Sequence, residues 1–498
     1  MPERATASSR SEKSAEVEVV GGSAGKARIL RRRTEREGVS EAMSIPKAMR
    51  QKPARAGRAG VVDGEAGREP VCDEAGGPRR GTEGTGSALL AAALTRENLK
   101  QAFRRVRRNK GAAGVDGLDI DQTARHLVTA WPMIREQLLK GTYRPSPVRR
   151  VTIPKPDGGG ERELGIPTVT DRLIQQALLQ VLQPMLDPTF SEHSYGFRPG
   201  RRAQDAVLAA QLYVQSGRRV VVDVDLEKFF DRVNHDILID RLQKRIEDAG
   251  VIRLIRAYLN SGLMDGGVVL QRHEGTPQGG PLSPLLANVL LDEVDKALER
   301  RGHCFVRYAD DANVYVRSRR AGERVMALLR RLYGNLRLKV NEAKSAVASV
   351  FGRKFLGYSF WVAAGGVIKR KVAVKPLLTF KQRIRELTRR SGGRSLQAVV
   401  DRLRPYVLGW KAYFRLAQTP KIWRELDKWM RHRLRAIQLK HWRRGRVIYR
   451  ELRALGATAD AARQVAASGR CWWRNSGGSL NRVLTIAYFD QLGMPRLT

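Results

Sequence analysis

Apolar and polar positions along residues 306–316 form two short runs rich in β-branched and aromatic residues, Val306 to Tyr308 and Val314 to Val316, separated by Asp310 and Asp311. The pattern predicts two strands with a tight turn between them, so a hairpin presents carboxylates at its tip. A second run, Val220 to Val224, reads as a buried central strand. Its period of two places Asp223 and Asp225 on one face and Val222 and Val224 on the other. Strand, turn and strand follow one another over residues 148–171, centred on Pro156-Asp157-Gly158-Gly159-Gly160.

Helical spacing predicts a helix capped by Thr95 with Leu99, Phe103 and Val106 on one face, where order should begin, and glycine-rich residues 111–117 break it. A helix over residues 172–185 buries Leu173, Ala177, Leu178, Val181 and Leu182, and one over 284–298 packs through Leu285, Val289 and Leu290, with Asn288 facing the nucleotide. An amphipathic helix is expected over 322–339, a strand and turn over 355–361, and a basic helical pattern from about 379 onward. Residues 1–86 have no sustained period and read as disordered, or as folding only on RNA.

Two adjacent carboxylates repel, and a divalent cation is the most direct compensation; a solvated polar turn is the alternative. An acid-ended strand beside an acid-tipped hairpin points to two-metal phosphoryl transfer. Charge narrows the partners. Lys and Arg outnumber Asp and Glu by 92 to 50, a net charge of +42, and such an excess calls for a polyanion, best a nucleic acid. The apolar stretch Ala88–Leu94 is far too short to span a bilayer, and no signal peptide is evident, so a cytoplasmic setting is expected. Cys72, Cys304 and Cys471 lie far apart and form no CxxC pair, which points away from a disulfide framework or a structural zinc site.

Further residues fit such a partner. Ser194–Arg202 combines Tyr195 and Phe197 with Arg198, Arg201 and Arg202, and aromatics stack on bases while guanidiniums meet phosphate. Lys155 and Arg162 flank the 156–160 turn, where a hairpin makes of them either a cationic clamp for a triphosphate or ordinary surface charges. Gln278 sits in a proline- and glycine-fixed loop, able to hydrogen-bond sugar or template.

The order Asp225-x-x-x-x-Phe230-Asp231, then Thr276-Pro277-Gln278-Gly279-Gly280-Pro281, then Tyr308-Ala309-Asp310-Asp311 resembles reverse transcriptases, and among them the bacterial group II intron-encoded proteins. Stretches 110–117, 153–158, 164–167, 194–200 and 355–358 match as well, and Gly409-Trp410-Lys411-Ala412-Tyr413-Phe414 is similar to the maturase signature, with Ala412 departing from it. The resemblance implies an α+β right-hand polymerase, with fingers and palm followed by an α-helical thumb or maturase domain and a small basic C-terminal region. The expected boundaries are 1–86 for a basic extension, 87–218 for an N-terminal extension and fingers, 219–378 for the palm, 379–450 for the thumb and 451–498 for a DNA-binding-like region.

By that resemblance Asp225, Asp310 and Asp311, with the carbonyl of Leu226, hold two Mg²⁺ ions; Lys155, Arg162, Phe230 and Gln278 bind the dNTP, Phe230 obstructing a ribose 2′-OH. For Phe230 a core position beside Phe229 is the alternative. Tyr195, Phe197, Arg198, Arg201, Arg202, Trp410 and Tyr413 would contact template or intron RNA, although most aromatics of the helical part should be core. The implied partners are intron RNA, a DNA target, and an RNA template with its DNA primer, in a bacterial cytoplasm and without a membrane; oligomeric state is left open. No HNH endonuclease is expected, since Cys471 has no nearby partner. Two rivals stand beside this reading: a splicing cofactor that no longer polymerises, and a reverse transcriptase of the CRISPR-associated or diversity-generating kind.

Overall fold

Strands β1 (Val148–Pro154), β2 (Glu161–Ile166), β3 (Val220–Val224), β4 (Leu263–Asp265), β5 (Val268–Leu270), β6 (Cys304–Tyr308), β7 (Asp311–Val316), β8 (Ala346–Ser349), β9 (Tyr358–Val362) and β10 (Ile368–Val372) make three sheets in the computed structural model of the chain. It describes residues 87–154, 160–265, 267–271 and 274–498.

The central sheet runs β6-β7-β3-β8 with antiparallel neighbours. Strand β3 sits inside it, which is why its sequence is apolar on both faces at the start. Val222 and Val224 enter one core with Phe305 and Val314, covered by the helices Ser283–Glu299 and Arg319–Asn335. Val221, Val306 and Tyr315 face the other way into a second core. A separate sheet, β2-β1-β4-β5, is built on the β1–β2 hairpin, with Ile153 opposite Arg162.

The second core is shared with the helical region. Helices Val374–Leu387, Leu396–Tyr413 and Pro420–Trp442 carry Phe380, Trp410, Phe414, Met430 and Leu434 into it, together with Val221 and Tyr315 of the sheet. Ser395 caps the second of these helices by accepting from the Ala398 N–H, and Pro420 opens the third at its first helical position. Burial of these aromatics docks the helices on the sheet face that also bears Asp223.

The α+β class expected from the sequence is the class found, and several boundaries move. A short helix, Ala88–Ala93, precedes Thr95, so order starts earlier than the 95–99 signal. Thr95 does not cap the next helix through its side chain: its hydroxyl donates to the Ala92 carbonyl at 3.0 Å, satisfying the end of the preceding helix instead. The amphipathic helix spans Arg319–Asn335 rather than 322–339, and the helical region opens at Val374, ahead of 379. Residues 1–86 lie outside the described residues.

Candidate active site

Tyr308 pairs with Asp311 across β6 and β7, leaving Ala309 and Asp310 as the turn. Ala309 takes φ +58°, a left-handed conformation that a residue with a Cβ rarely adopts. Asp223 pairs with Asn313, so Asp223, Asn313 and Asp311 share one face of adjacent strands, and Asp225 follows just past the end of β3. The Asp225 backbone is tied at both ends, its N–H donating to Ser345 Oγ at 3.0 Å and its carbonyl accepting from Asn341 N–H at 2.8 Å.

The carboxylates act on one another. Burial raises the Asp311 carboxyl to about 7, with the charges of Asp310, Asp225 and Asp223 adding to it. Asp311 itself stays exposed to solvent. Asp310 is also held above the usual carboxylate range by burial and by Asp225, with Arg162 and Arg307 opposing. Burial raises Asp223 against the Arg353 guanidinium, which pairs with it at 3.0 Å; the Asn313 amide donates to its other oxygen at 2.9 Å.

Clustered negative charge of this kind is offset by a cation. Asp225 Oδ2 is buried and accepts no hydrogen bond, with the Lys344 ammonium 3.1 Å away as an ion-pair partner. An oxygen left in that state fits a metal ligand. Among the described residues no group of three His, Cys, Asp or Glu side chains stands arranged to hold a metal ion.

The nucleotide candidates fall into two groups, Arg162 and Leu226 beside the carboxylates, and Phe230 and Gln278 joined through one loop. Arg162 is exposed on β2 and close enough for its charge to act on Asp310. Lys155 lies outside the described residues. Phe230 is half-buried, edge-on to the buried Phe229 at 5.1 Å, and its carbonyl accepts from Thr276 N–H at 2.7 Å, tying it to the loop of Gln278. That loop is docked on β2: the Gln278 carbonyl accepts from Gly165 N–H at 3.2 Å, and a Cβ at Gly279 would stand 2.5 Å from the Gly165 carbonyl oxygen. Leu226 is 4% exposed, its side chain in the first core while its backbone bridges Val340.

The RNA candidates divide. Arg202 is exposed, and Arg201 pairs with Glu192 and lies over the half-buried Tyr195 ring, 5.6 Å from its centroid. Phe197 is half-buried at φ +60°. Arg198 is not a phosphate contact: it is 7% exposed and spends its donors on Asp187 and on the carbonyls of Ser191 and Ser194. Trp410 is likewise core, 8% exposed and packed against Phe380, Phe414 and Trp423. A buried indole cannot stack on a base.

Tyr413 is half-buried and fully engaged. Its carbonyl accepts from Gln204 Nε2 and the Tyr358 hydroxyl, and its own hydroxyl donates to the Leu356 carbonyl. Asn288 does not face a nucleotide: it is 1% exposed and bridges Gly196 and Arg307. Arg307, Lys344 and Arg353 are the neighbours that sequence reasoning passed over. For Arg307 a signal existed, a lone arginine within an apolar strand; the exposed Lys344 gave none.

Two family models match the chain: reverse transcriptase (RNA-dependent DNA polymerase) over residues 153–360, and the group II intron maturase-specific domain over residues 377–456. "Protein YkfC" of Escherichia coli (strain K12) is 37% identical over 219 residues, covering 43% of this chain and 57% of its own. "Group II intron-encoded protein LtrA" of Lactococcus lactis subsp. cremoris is 38% identical over 195 residues, covering 39% of this chain and 32% of its own. The match thus spans about half or less of these relatives. Of solved structures, a chain of a "Partial Cas6-RT-Cas1--Cas2 complex" is 27% identical, covering 49% of this chain and 42% of that one, with a TM-score of 0.34.

Proposed function

We propose that the chain is a reverse transcriptase and maturase of the group II intron type, which copies RNA into DNA from a primer and binds intron RNA to assist splicing. The observation that carries the polymerase reading is the gathering of Asp223, Asp225, Asp310 and Asp311 at the open end of the central sheet, each of Asp223, Asp310 and Asp311 raised in part by its neighbours' charges. Asp225, Asp310 and Asp311, with the Leu226 carbonyl, would hold two divalent cations, Mg²⁺ by preference. Such ions, when bound, lower the pKa of a primer hydroxyl and neutralise charge on the leaving pyrophosphate.

The chain's own residues do the rest. Arg162 brings a fixed positive charge to the mouth of the cleft, and Lys155 would supply a second one to the triphosphate. Phe230, backed by Phe229 and held by the Thr276 N–H, presents a ring that cannot give way to a 2′-hydroxyl. Gln278, on a loop docked to β2, orients sugar or template. Arg202, Arg201 and Tyr195 meet the template backbone, while the excess of 42 positive charges supports binding to long RNA, a primed template and a DNA target. Among the described residues no helix is long and apolar enough to cross a membrane. Our reading is of a nucleic-acid-bound protein of the bacterial cytoplasm that takes part in retrohoming.

Primer extension on an RNA template with dNTPs and Mg²⁺, comparing the native chain with Asp310→Ala, tests the polymerase half; DNA from the native chain alone is the expected result. RNA binding with no DNA from either chain would replace this reading with that of a splicing cofactor. Splicing of the flanking intron RNA, with and without the protein, tests the other half.

A further inference from the structure

Arg307 is the penultimate residue of β6 and only 1% exposed. A guanidinium so far from water must be compensated donor by donor. Its Nε lies 2.9 Å from each Asp295 oxygen, and its Nη2 donates to Asp295 Oδ2 at 2.6 Å and to Ser194 Oγ at 2.8 Å. Its Nη1 donates to Asn288 Oδ1 at 3.0 Å and to the Ala309 carbonyl at 2.9 Å. One side chain therefore joins the helix Ser283–Glu299, the Ser194 segment and the hairpin turn.

The backbone repeats the arrangement. Arg307 N–H donates to the His193 carbonyl, Tyr195 N–H donates to the Arg307 carbonyl, and Asn288 Nδ2 donates to the Gly196 carbonyl at 2.9 Å. A Cβ at Gly196 would stand 2.1 Å from Ala309 N, so the Gly196 backbone lies directly against the turn.

The Ala309 carbonyl belongs to the same rigid peptide plane as the Asp310 nitrogen. Holding that oxygen holds Asp310. We propose that Arg307 is the positioning residue of the site: through the Ala309 carbonyl it keeps the turn left-handed and thereby sets where the Asp310 carboxylate stands before any cation arrives. Lysine cannot take this place, since a single ammonium does not span acceptors arrayed around a planar fork. The importance of Arg307 for catalysis rests on the polymerase reading; its hold on the turn does not.

Hydrogen exchange of the native chain and of Arg307→Lys, without metal, tests the structural claim, and Mn²⁺ affinity by electron paramagnetic resonance tests its consequence. In R307K, exchange at the amides of residues 309–312 should speed up about tenfold relative to β1 and β2, and Mn²⁺ should bind about tenfold more weakly, as when a partner of a metal ligand is lost. Adding Ala309→Gly to R307K should recover about threefold of that affinity, because glycine needs no help at positive φ.

Unchanged exchange at the turn, uniform loosening of the whole sheet, or no recovery in the double variant would each overturn the proposal. Should R307K not fold, Asn288→Ala removes one acceptor and leaves the Asp295 pair intact. The same local pattern, at about two- to fivefold, is then expected, and its absence counts against us. A native chain that binds Mn²⁺ but makes no DNA would defeat the polymerase reading and leave the Arg307 assignment standing; DNA synthesis with an unloosened turn in R307K would do the reverse.

Discussion

The tip of the β6–β7 hairpin and the helices Leu396–Tyr413 and Pro420–Trp442 differ in what they mostly bury, although Asp427 and Arg435 of the last helix are buried too. At the hairpin, charge is inside: Arg307 and Asp295 are buried together, and Asp223, Asp225 and Asp310 lie close enough to act on Asp311. In the helices Trp410 and Trp442 are buried and the other aromatics half-buried, Trp410 packing among Phe380, Phe414 and Trp423, while most of the lysines and arginines face water. Burying charge costs much and needs a complete set of partners, so it fixes one geometry; burying rings is tolerant and fixes mainly stability. Chemistry is therefore expected at the first place and a broad electrostatic surface at the second.

The contrast can be broken experimentally. Asp310→Ala should reduce single-nucleotide incorporation by about 10³-fold or more while RNA affinity stays within about twofold; equal losses in both would erase the division of labour. Trp410→Ala should cost about 3–5 kcal/mol in denaturant unfolding, the range for a large core aromatic. RNA binding lost at native stability would return Trp410 to the RNA surface.

Smaller effects sharpen the picture. Phe230→Ala should raise ribonucleotide over deoxynucleotide use by about 10- to 100-fold, roughly 1.4–2.8 kcal/mol of discrimination, read by competition in single-turnover extension. Unaltered selectivity would make Phe230 a core residue. Arg202→Ala should leave unfolding untouched and reduce the salt slope of RNA binding by about one. Arg198→Ala, by contrast, should register in stability, because it abandons Asp187.

Legibility followed the same division. The strand pattern over residues 306–316 and 220–224 anticipated the hairpin and the central strand, because a period of two and a turn leave few alternatives, but the second hairpin strand starts at Asp311 and leaves only Ala309 and Asp310 in the turn. Local signals could not reveal partners far along the chain. Thr95 looked like a cap, but its hydroxyl serves the preceding helix. Asn288 and Arg198 looked like ligand contacts since polar residues near a motif usually face out, and both are consumed by buried carbonyls or side chains. The distances that matter to Asp225, to Ser345 and Lys344, span more than a hundred positions and no periodicity encodes them.

Tyr413 has a mechanical meaning. Gln204 and Tyr358 both hold its carbonyl and Leu356 takes its hydroxyl, so the end of one long helix is pinned to a helix and a strand of the mixed region. Replacing the Tyr413 side chain would remove only the tie to Leu356, because Gln204 and Tyr358 hold a backbone oxygen that every residue carries.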